Sequence, residues 1–502
     1  MHQNEAVRGP VPKVSTGIDG LDQVLLGGLP ADRLYLIEGA PGTGKTTLAL
    51  QFLLEGRDKG EGGLYITLSE TKAELSDVSA SHGWSLEGIE LYELESTEAR
   101  LTPEEEYTVF RPEDVELSET VQKVRQEVER LQPNRVVFDS LSEMQLLARD
   151  PLRYRRQILA LKQFFAGRKC TVLLLDDMTG TSHDLQLQSI AHGVITLERL
   201  FQEYGISKRR LNVIKLRGAQ FRDGYHDYDI LRGGLRVFPR LVAGEHRATH
   251  DRSRFASGIP AFDRLLGGGL NRGTSTLVIG PAGSGKSSIA GAFLIAAAKR
   301  GEHAASYVFE EGRDTFIDRM STLGMDVRPH IDANLITLQQ IDPAEVSPGQ
   351  FAQQLRDDVD QRGARVIVID SLNGYLNAMP NERFLLVQMH KQLSYLAQKG
   401  VVCILIMAQH GLIGAMQNPI DVSYLADALI MLRFFEFNGR VKRAISVIKH
   451  RKAAHEDSIR EFRLSAEGIH VGEPLENFRG VLTGVPEYTG GTEALMENRN
   501  GD

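Results

Sequence analysis

The 502 residues contain two cysteines and one tryptophan, and no apolar run approaches the roughly 18–20 residues that cross a bilayer. Two cysteines, both inside apolar runs at Cys170 and Cys403, exclude a disulfide framework and have no spacing suited to zinc. They read as buried core thiols of a reducing compartment. The start of the chain lacks a basic-then-apolar leader, so the expectation is a cytoplasmic protein with no membrane partner. No large excess of one charge is present: 58 Lys and Arg against 66 Asp and Glu leave a net charge of −8, which gives no overall pull toward nucleic acid. A hydrophobic content of 42% over this length is ample for two or three packed domains.

What the chain does contain is one phrase said twice. Gly39-Ala40-Pro41-Gly42-Thr43-Gly44-Lys45-Thr46 and the stretch Gly280 to Ser287 both fit G-x-x-x-x-G-K-[ST]. In that pattern glycines turn backbone N–H groups toward phosphate oxygens, the lysine reaches the terminal phosphates and the last hydroxyl ligates Mg²⁺. Strand-like runs at 33–38 and 275–279 precede the two copies and apolar segments follow them, which is the context that the pattern needs. The nucleotide-holding residues are therefore Gly42, Thr43, Gly44, Lys45, Thr46 and Thr47, and Gly283, Ser284, Gly285, Lys286, Ser287 and Ser288. Gly17 and Gly258, Asp22 and Asp263, and Lys45 and Lys286 (286 − 45) are each 241 positions apart, so a whole domain is duplicated. The expected division is a first domain over 1–243, a linker over 244–254, a second domain over 255–472 and a tail over 473–502.

In each half a strand ends at Ser69-Glu70 or at Glu310-Glu311, with Ser69 and Glu310 both 24 residues after their lysines, where a carboxylate would point toward the nucleotide. A later apolar strand ends at Asp139-Ser140 and at Asp370-Ser371. Falling in order after a phosphate loop, those aspartates read as the second nucleotide motif, so the metal set is Thr46, Ser287, Asp139 and Asp370. Residues 95–119 are acidic with two prolines and read as a solvated loop. Helical stripes follow, Leu117, Val121, Val124, Val128 and Leu131 in one half and Phe351, Leu355 and Val359 in the other. Further apolar runs at 171–175 and 401–407 add central strands, so both halves are α/β units built mainly on parallel strands. Near the end of each stand Lys215 and Arg217 or Lys449 and Arg451, which taken alone read as cations solvating a loop and in a ring could cross to a neighbouring subunit's nucleotide and stabilise the transferring phosphoryl group.

These ordered motifs resemble the KaiC family of circadian clock ATPases and autokinases. The resemblance runs from residue 14 to about 485 and is carried by the doubled phrase Ser15-Thr16-Gly17-Ile18 and Ala256-Ser257-Gly258-Ile259, both phosphate loops, Phe309-Glu310-Glu311, both Asp-Ser strand ends, both Lys-x-Arg pairs, 422–427 and 459–462. It implies two tandem RecA-like P-loop NTPase domains, each a mainly parallel sheet flanked by helices. It further implies a homohexamer with ATP and Mg²⁺ between subunits, ATP hydrolysis and serine/threonine autophosphorylation. Ser423 stands at the phosphosite, with Tyr424 in the companion position as the poorer acceptor. Glu310, Glu311 and Glu70 are the catalytic carboxylates, but the leading glutamate of the first half is replaced by Ser69, so that half is expected to hold nucleotide more than hydrolyse it. A KaiB-like protein and signalling kinases are the implied partners, in a clock-like, stress or signalling role. The stretch beyond Pro486 is short, and a peptide for a KaiA-like activator is not expected. Two other classes share the phosphate loops: a nucleic-acid-dependent RecA-like ATPase and an ATP-assembled scaffold. The first needs a basic loop bearing aromatics, and 208–210 and 247–254 are basic without interleaved aromatics, so nucleic acid is not the expected partner.

Overall fold

A computed structural model describes residues 11–94, 112–148, 150–178, 185–201, 205–242, 251, 253–377, 382–409, 423–482 and 486–489. The chain forms two compact units that divide between Arg240 and Leu241. Part of the expected linker, 244–250 and 252, lies outside the described residues.

Each unit is built on a nine-stranded sheet. In the first, Leu34–Gly39 sits centrally between Gly193–Leu200 and Thr171–Asp176, and Arg135–Asp139, Gly63–Thr67 and Ile89–Glu93 continue outward in parallel. On the other side Lys208–Leu216, Tyr225–Leu231 and Gly234–Phe238 extend the sheet as antiparallel hairpins. The second unit repeats this order: Ser275–Gly280 lies between Ala428–Phe437 and Val402–Ala408, followed outward by Val366–Asp370, Ala304–Val308 and Ile336–Gln340, with antiparallel Arg440–His450, Arg460–Ser465 and Gly468–Pro474 on the far side.

The central parallel strands are buried on both faces, which is why they read as unbroken apolar runs. Helix Lys286–Lys299 covers one face of the second sheet and is almost wholly apolar, so it contributes Ile289, Phe293 and Leu294 to a core shared with Val278, Ile430 and Phe462. The stripe Phe351, Leu355 and Val359 packs on the opposite face. In the first unit Val121, Val124 and Val128 are buried in the same way. The loop expected over 95–119 is corrected at its end, where 112–119 are helical. Helix Pro112–Leu131 begins at Pro112, because proline fits a first helical turn whose N–H groups lack intrahelical acceptors; residues 95–111 lie outside the described residues. Cys170 and Cys403 are free and buried.

Candidate functional site

Both phosphate loops join the end of a central strand to the start of a long helix, Lys45–Asp58 or Lys286–Lys299. The glycine before each lysine is left-handed, Gly44 at φ 95° and Gly285 at φ 105°. A Cβ there would meet Ile230 at 2.6 Å or Phe462 at 2.8 Å, so the cradle leaves no room for a side chain. The lysines close each loop from inside. Lys45 donates to Gly39 O at 2.6 Å and pairs with Asp177 at 2.8 Å, and Lys286 donates to Gly280 O at 3.0 Å and Pro281 O at 2.7 Å. Burial pushes Lys286 below the usual lysine range against the pull of Asp370 and Glu310. Tyr228 supports the first loop from behind, its hydroxyl donating to Thr43 O at 2.6 Å.

In the second unit Ser287, Glu310, Glu311, Gly312, Thr315 and Asp370 line one cleft of about 400 Å³. Glu310 accepts from Ser371 Oγ at 2.9 Å. Glu311 is gripped by Arg319, Nε to Oε1 at 2.9 Å and Nη2 to Oε2 at 2.7 Å. Asp370 is raised by burial, opposed by a hydrogen bond from Ser287. In the first unit Thr46 Oγ1 lies 3.5 Å from Glu70 Oε1, and Tyr65 donates its hydroxyl to Asp139 at 2.5 Å. Burial, then the neighbouring charges of Asp139 and Glu74, lift Glu70 to about 7. Asp139 is likewise raised by burial, relieved by the hydroxyl of Tyr65. Peptide bonds after both aspartates are cis.

The donors present fit Mg-ATP. One hydroxyl and one aspartate converge beside each phosphate cradle, and Glu70 Oε2 and Ser284 Oγ are buried without a hydrogen-bond partner. Among the described residues no three His, Cys, Asp or Glu groups are placed to hold a metal by themselves. That suits Mg²⁺, which takes most of its oxygens from water and phosphate.

Six expected site residues stand elsewhere. Leu216 pairs with Gly193, and Gly193 with Tyr35 at the start of the central strand, so Lys215 and Arg217 lie at the opposite edge of the sheet from the loop that follows Gly39. Arg217 donates to Ser189 O at 2.9 Å, and Lys215 donates to Gln188 O. In the second unit Ala428 pairs with Thr276 and His450, which puts Lys449, Arg451, Ser423 and Tyr424 at the same far edge. Lys449 donates to Ser423 O at 3.0 Å and Ala426 O at 2.8 Å, and Arg451 reaches Tyr424 O at 3.3 Å. Sequence reasoning alone misses Arg319, Tyr65, Asp177 and Ser371. Only Ser371 has a signal there, as the serine of the Asp-Ser strand end.

Comparison with known proteins finds the same duplication of the chain. The family described as "ATPase: KaiC" matches residues 14–242 and again 255–476. Circadian clock oscillator protein KaiC of a Picosynechococcus species is 27% identical over 491 residues, covering 96% of this chain and 94% of the relative. Circadian clock protein KaiC3 of a Synechocystis species is 25% identical, covering 96% of each, and KaiC of Synechococcus elongatus is 26% identical over 96% of this chain and 93% of its own. With a duplicated nucleotide cradle, two sheets of one order and a family match across both, this chain belongs to the KaiC family of ATPases.

Proposed function

We propose that this protein is a ring ATPase that binds Mg-ATP where two subunits meet, hydrolyses it and phosphorylates its own Ser423, in a clock-like, stress or signalling role. One observation carries the reading. In each unit the phosphate loop is at one edge of the sheet and the Lys-x-Arg pair at the other, four residues or about 13 Å apart along the central strand before the loop even begins. The cations cannot reach their own unit's nucleotide, and a second copy in a closed ring would bring them to it. Ser423 shares that edge with Lys449 and Arg451, so the same neighbour's γ-phosphate is the one within its reach. Stabilisation of a loose transition state by such cations and in-line positioning of the hydroxyl is how phosphoryl transfer is accelerated. Tyr424 is 53% exposed beside it, but its phenol carries the acceptor oxygen farther from the backbone than a serine does.

A KaiB-like protein and signalling kinases are the proposed partners by family. The described basic residues do not favour a nucleic-acid channel: Lys208 is buried within a strand, and Arg210 is paired with Glu198 at 2.7 Å and lies over Tyr225. Incubating the purified chain with ATP and Mg²⁺, quantifying ADP and mapping phosphosites by mass spectrometry tests the reading. ADP release with phosphate on Ser423 is expected. Assembly without turnover would leave a scaffold, and turnover that requires single-stranded DNA would favour the nucleic-acid class.

A further inference from the structure

The two sites differ in which carboxylate is left uncommitted. In the second unit both oxygens of Glu311 are held by Arg319, whose Nη1 also lies 3.2 Å from Ser288 Oγ. Arg319 projects from helix Arg313–Thr322, which starts directly after the two glutamates and turns back over them. Glu310 remains beside Ser287 and Asp370 in the cleft, held by one serine hydroxyl. Positions 241 residues earlier read differently: Ser69 for Glu310, Glu70 for Glu311, Thr47 for Ser288 and Val78 for Arg319. Val78 packs against the apolar core of the first unit and offers no charge. Glu70 is thus released from the pairing that its counterpart has. One oxygen stands 3.5 Å from Thr46 Oγ1, and the other is buried with no hydrogen-bond partner. Position 69 thus lacks a carboxylate in the same unit in which position 78 lacks the arginine.

We propose that Glu70 is the general base of the first unit, replacing the carboxylate absent at position 69, and that Arg319 is a positioning residue that confines this role to Glu310 in the second unit by tying down Glu311. The inference rests on the ATPase reading above and makes the first unit a hydrolytic site in its own right, contrary to the expectation from Ser69. In the step assigned to Glu70, a water gives a proton to the Glu70 carboxylate while the water oxygen's lone pair forms a bond to the γ-phosphorus. The bond from that phosphorus to the β–γ bridging oxygen breaks, its electron pair leaves on ADP, and the carboxyl returns the proton to solvent. Bound Mg²⁺ would supply charge neutralisation on the phosphates, held through Thr46 and Asp139.

The test uses the full chain with Mg-ATP and ADP release as the readout. Lys286→Ala silences the second site; in that background Glu70→Gln is expected to lower kcat by about 10²–10⁴ with KM nearly unchanged, the range for general-base catalysis. Adding Ser69→Glu to Glu70→Gln should recover turnover at least tenfold, since it restores a carboxylate where the second unit has one. With Lys45→Ala silencing the first site, Glu310→Gln should lose turnover and Glu310→Gln with Arg319→Val should regain at least tenfold of it through the released Glu311. Arg319→Gln serves as the second variant, with circular dichroism to verify folding. Full turnover by Glu70→Gln, or no turnover in the Lys286→Ala parent while Lys45→Ala is active, overturns the role of Glu70. No recovery on removing Arg319 overturns the clamp. Absence of ADP from wild type sinks the ATPase reading instead, a result distinct from either.

Discussion

Replacing Gly285 with alanine adds one methyl group at the tightest point of the second phosphate loop, and the consequences can be worked out from its neighbours. The φ of 105° costs a residue with a Cβ about 1–2 kcal/mol. In addition the new Cβ would stand 2.8 Å from the edge of Phe462 and 3.0 Å from Leu464. Phe462 is 2% exposed within the core and cannot swing aside, so overpacking adds about 1–3 kcal/mol. Gly283, two residues earlier at φ 73°, has nothing within 4 Å of the place a methyl would take, so only the backbone cost applies there. For a unit of this size each kcal/mol shifts Tm by roughly 2–4 °C. Gly285→Ala should therefore lower the melting transition of the second unit by roughly 4–20 °C and Gly283→Ala by roughly 2–8 °C, read by scanning calorimetry on the ligand-free chain. Equal shifts, or a larger one for Gly283→Ala, would refute the steric argument and mean that the loop relaxes around the new methyl.

Three further outcomes are expected. His226, 1% exposed, accepts from the Arg240 amide and contacts Arg222 O, and burial together with those arginines pushes its pKa down to about 4; the unfolded chain then binds the extra proton, so stability is full above about pH 6.5 and falls by up to about 3 kcal/mol on going toward pH 4. Urea melts of wild type and His226→Gln across that range check it, and a pH slope that survives the substitution would assign the effect to other groups. Arg135→Met should destabilise the first unit by about 3–5 kcal/mol, because a 1% exposed guanidinium that holds Glu61 at 2.5 Å, Phe52 O at 2.7 Å and Ser15 O at 2.9 Å leaves all three behind; a loss below about 1 kcal/mol in chemical denaturation would contradict this. Label from γ-phosphate-labelled ATP should disappear in Ser423→Ala and persist in Tyr424→Phe, and the reverse pattern would make the serine a structural residue.

Much of the fold is legible in the sequence because it is written in local, repeated signals. The phosphate loops carry their own glycines, the buried parallel strands announce themselves as apolar runs, and the constant 241-residue offset ties the halves together. The antiparallel hairpins that complete each sheet are not, since strands such as Lys208–Leu216 mix cations with apolar residues and are half-solvated. In the site, Glu310 and Asp370 are found by order along the chain. Arg319 is not, because its partner is chosen by a helix folding back over the preceding turn, and an arginine on an exposed-looking helix has no local mark of that contact. Tyr65 is hidden for a related reason: it meets Asp139 only through the pairing of two neighbouring strands.

The two sheets keep one strand order although the chain between them does not keep one length. Between Glu93 and Arg135 there are 41 residues, and between the corresponding Gln340 and Val366 there are 25. Closing a longer loop costs little chain entropy, about 0.6 kcal/mol per doubling of its length. That connection leads from the outermost parallel strand to the aspartate strand, and both phosphate cradles form whichever length is used. The strand order is therefore set by which strands pair and not by the spacing of the chain between them: the sheet is the fixed part of each unit, and this connection, helix Pro112–Leu131 included in the first, is the part whose length differs between the two copies.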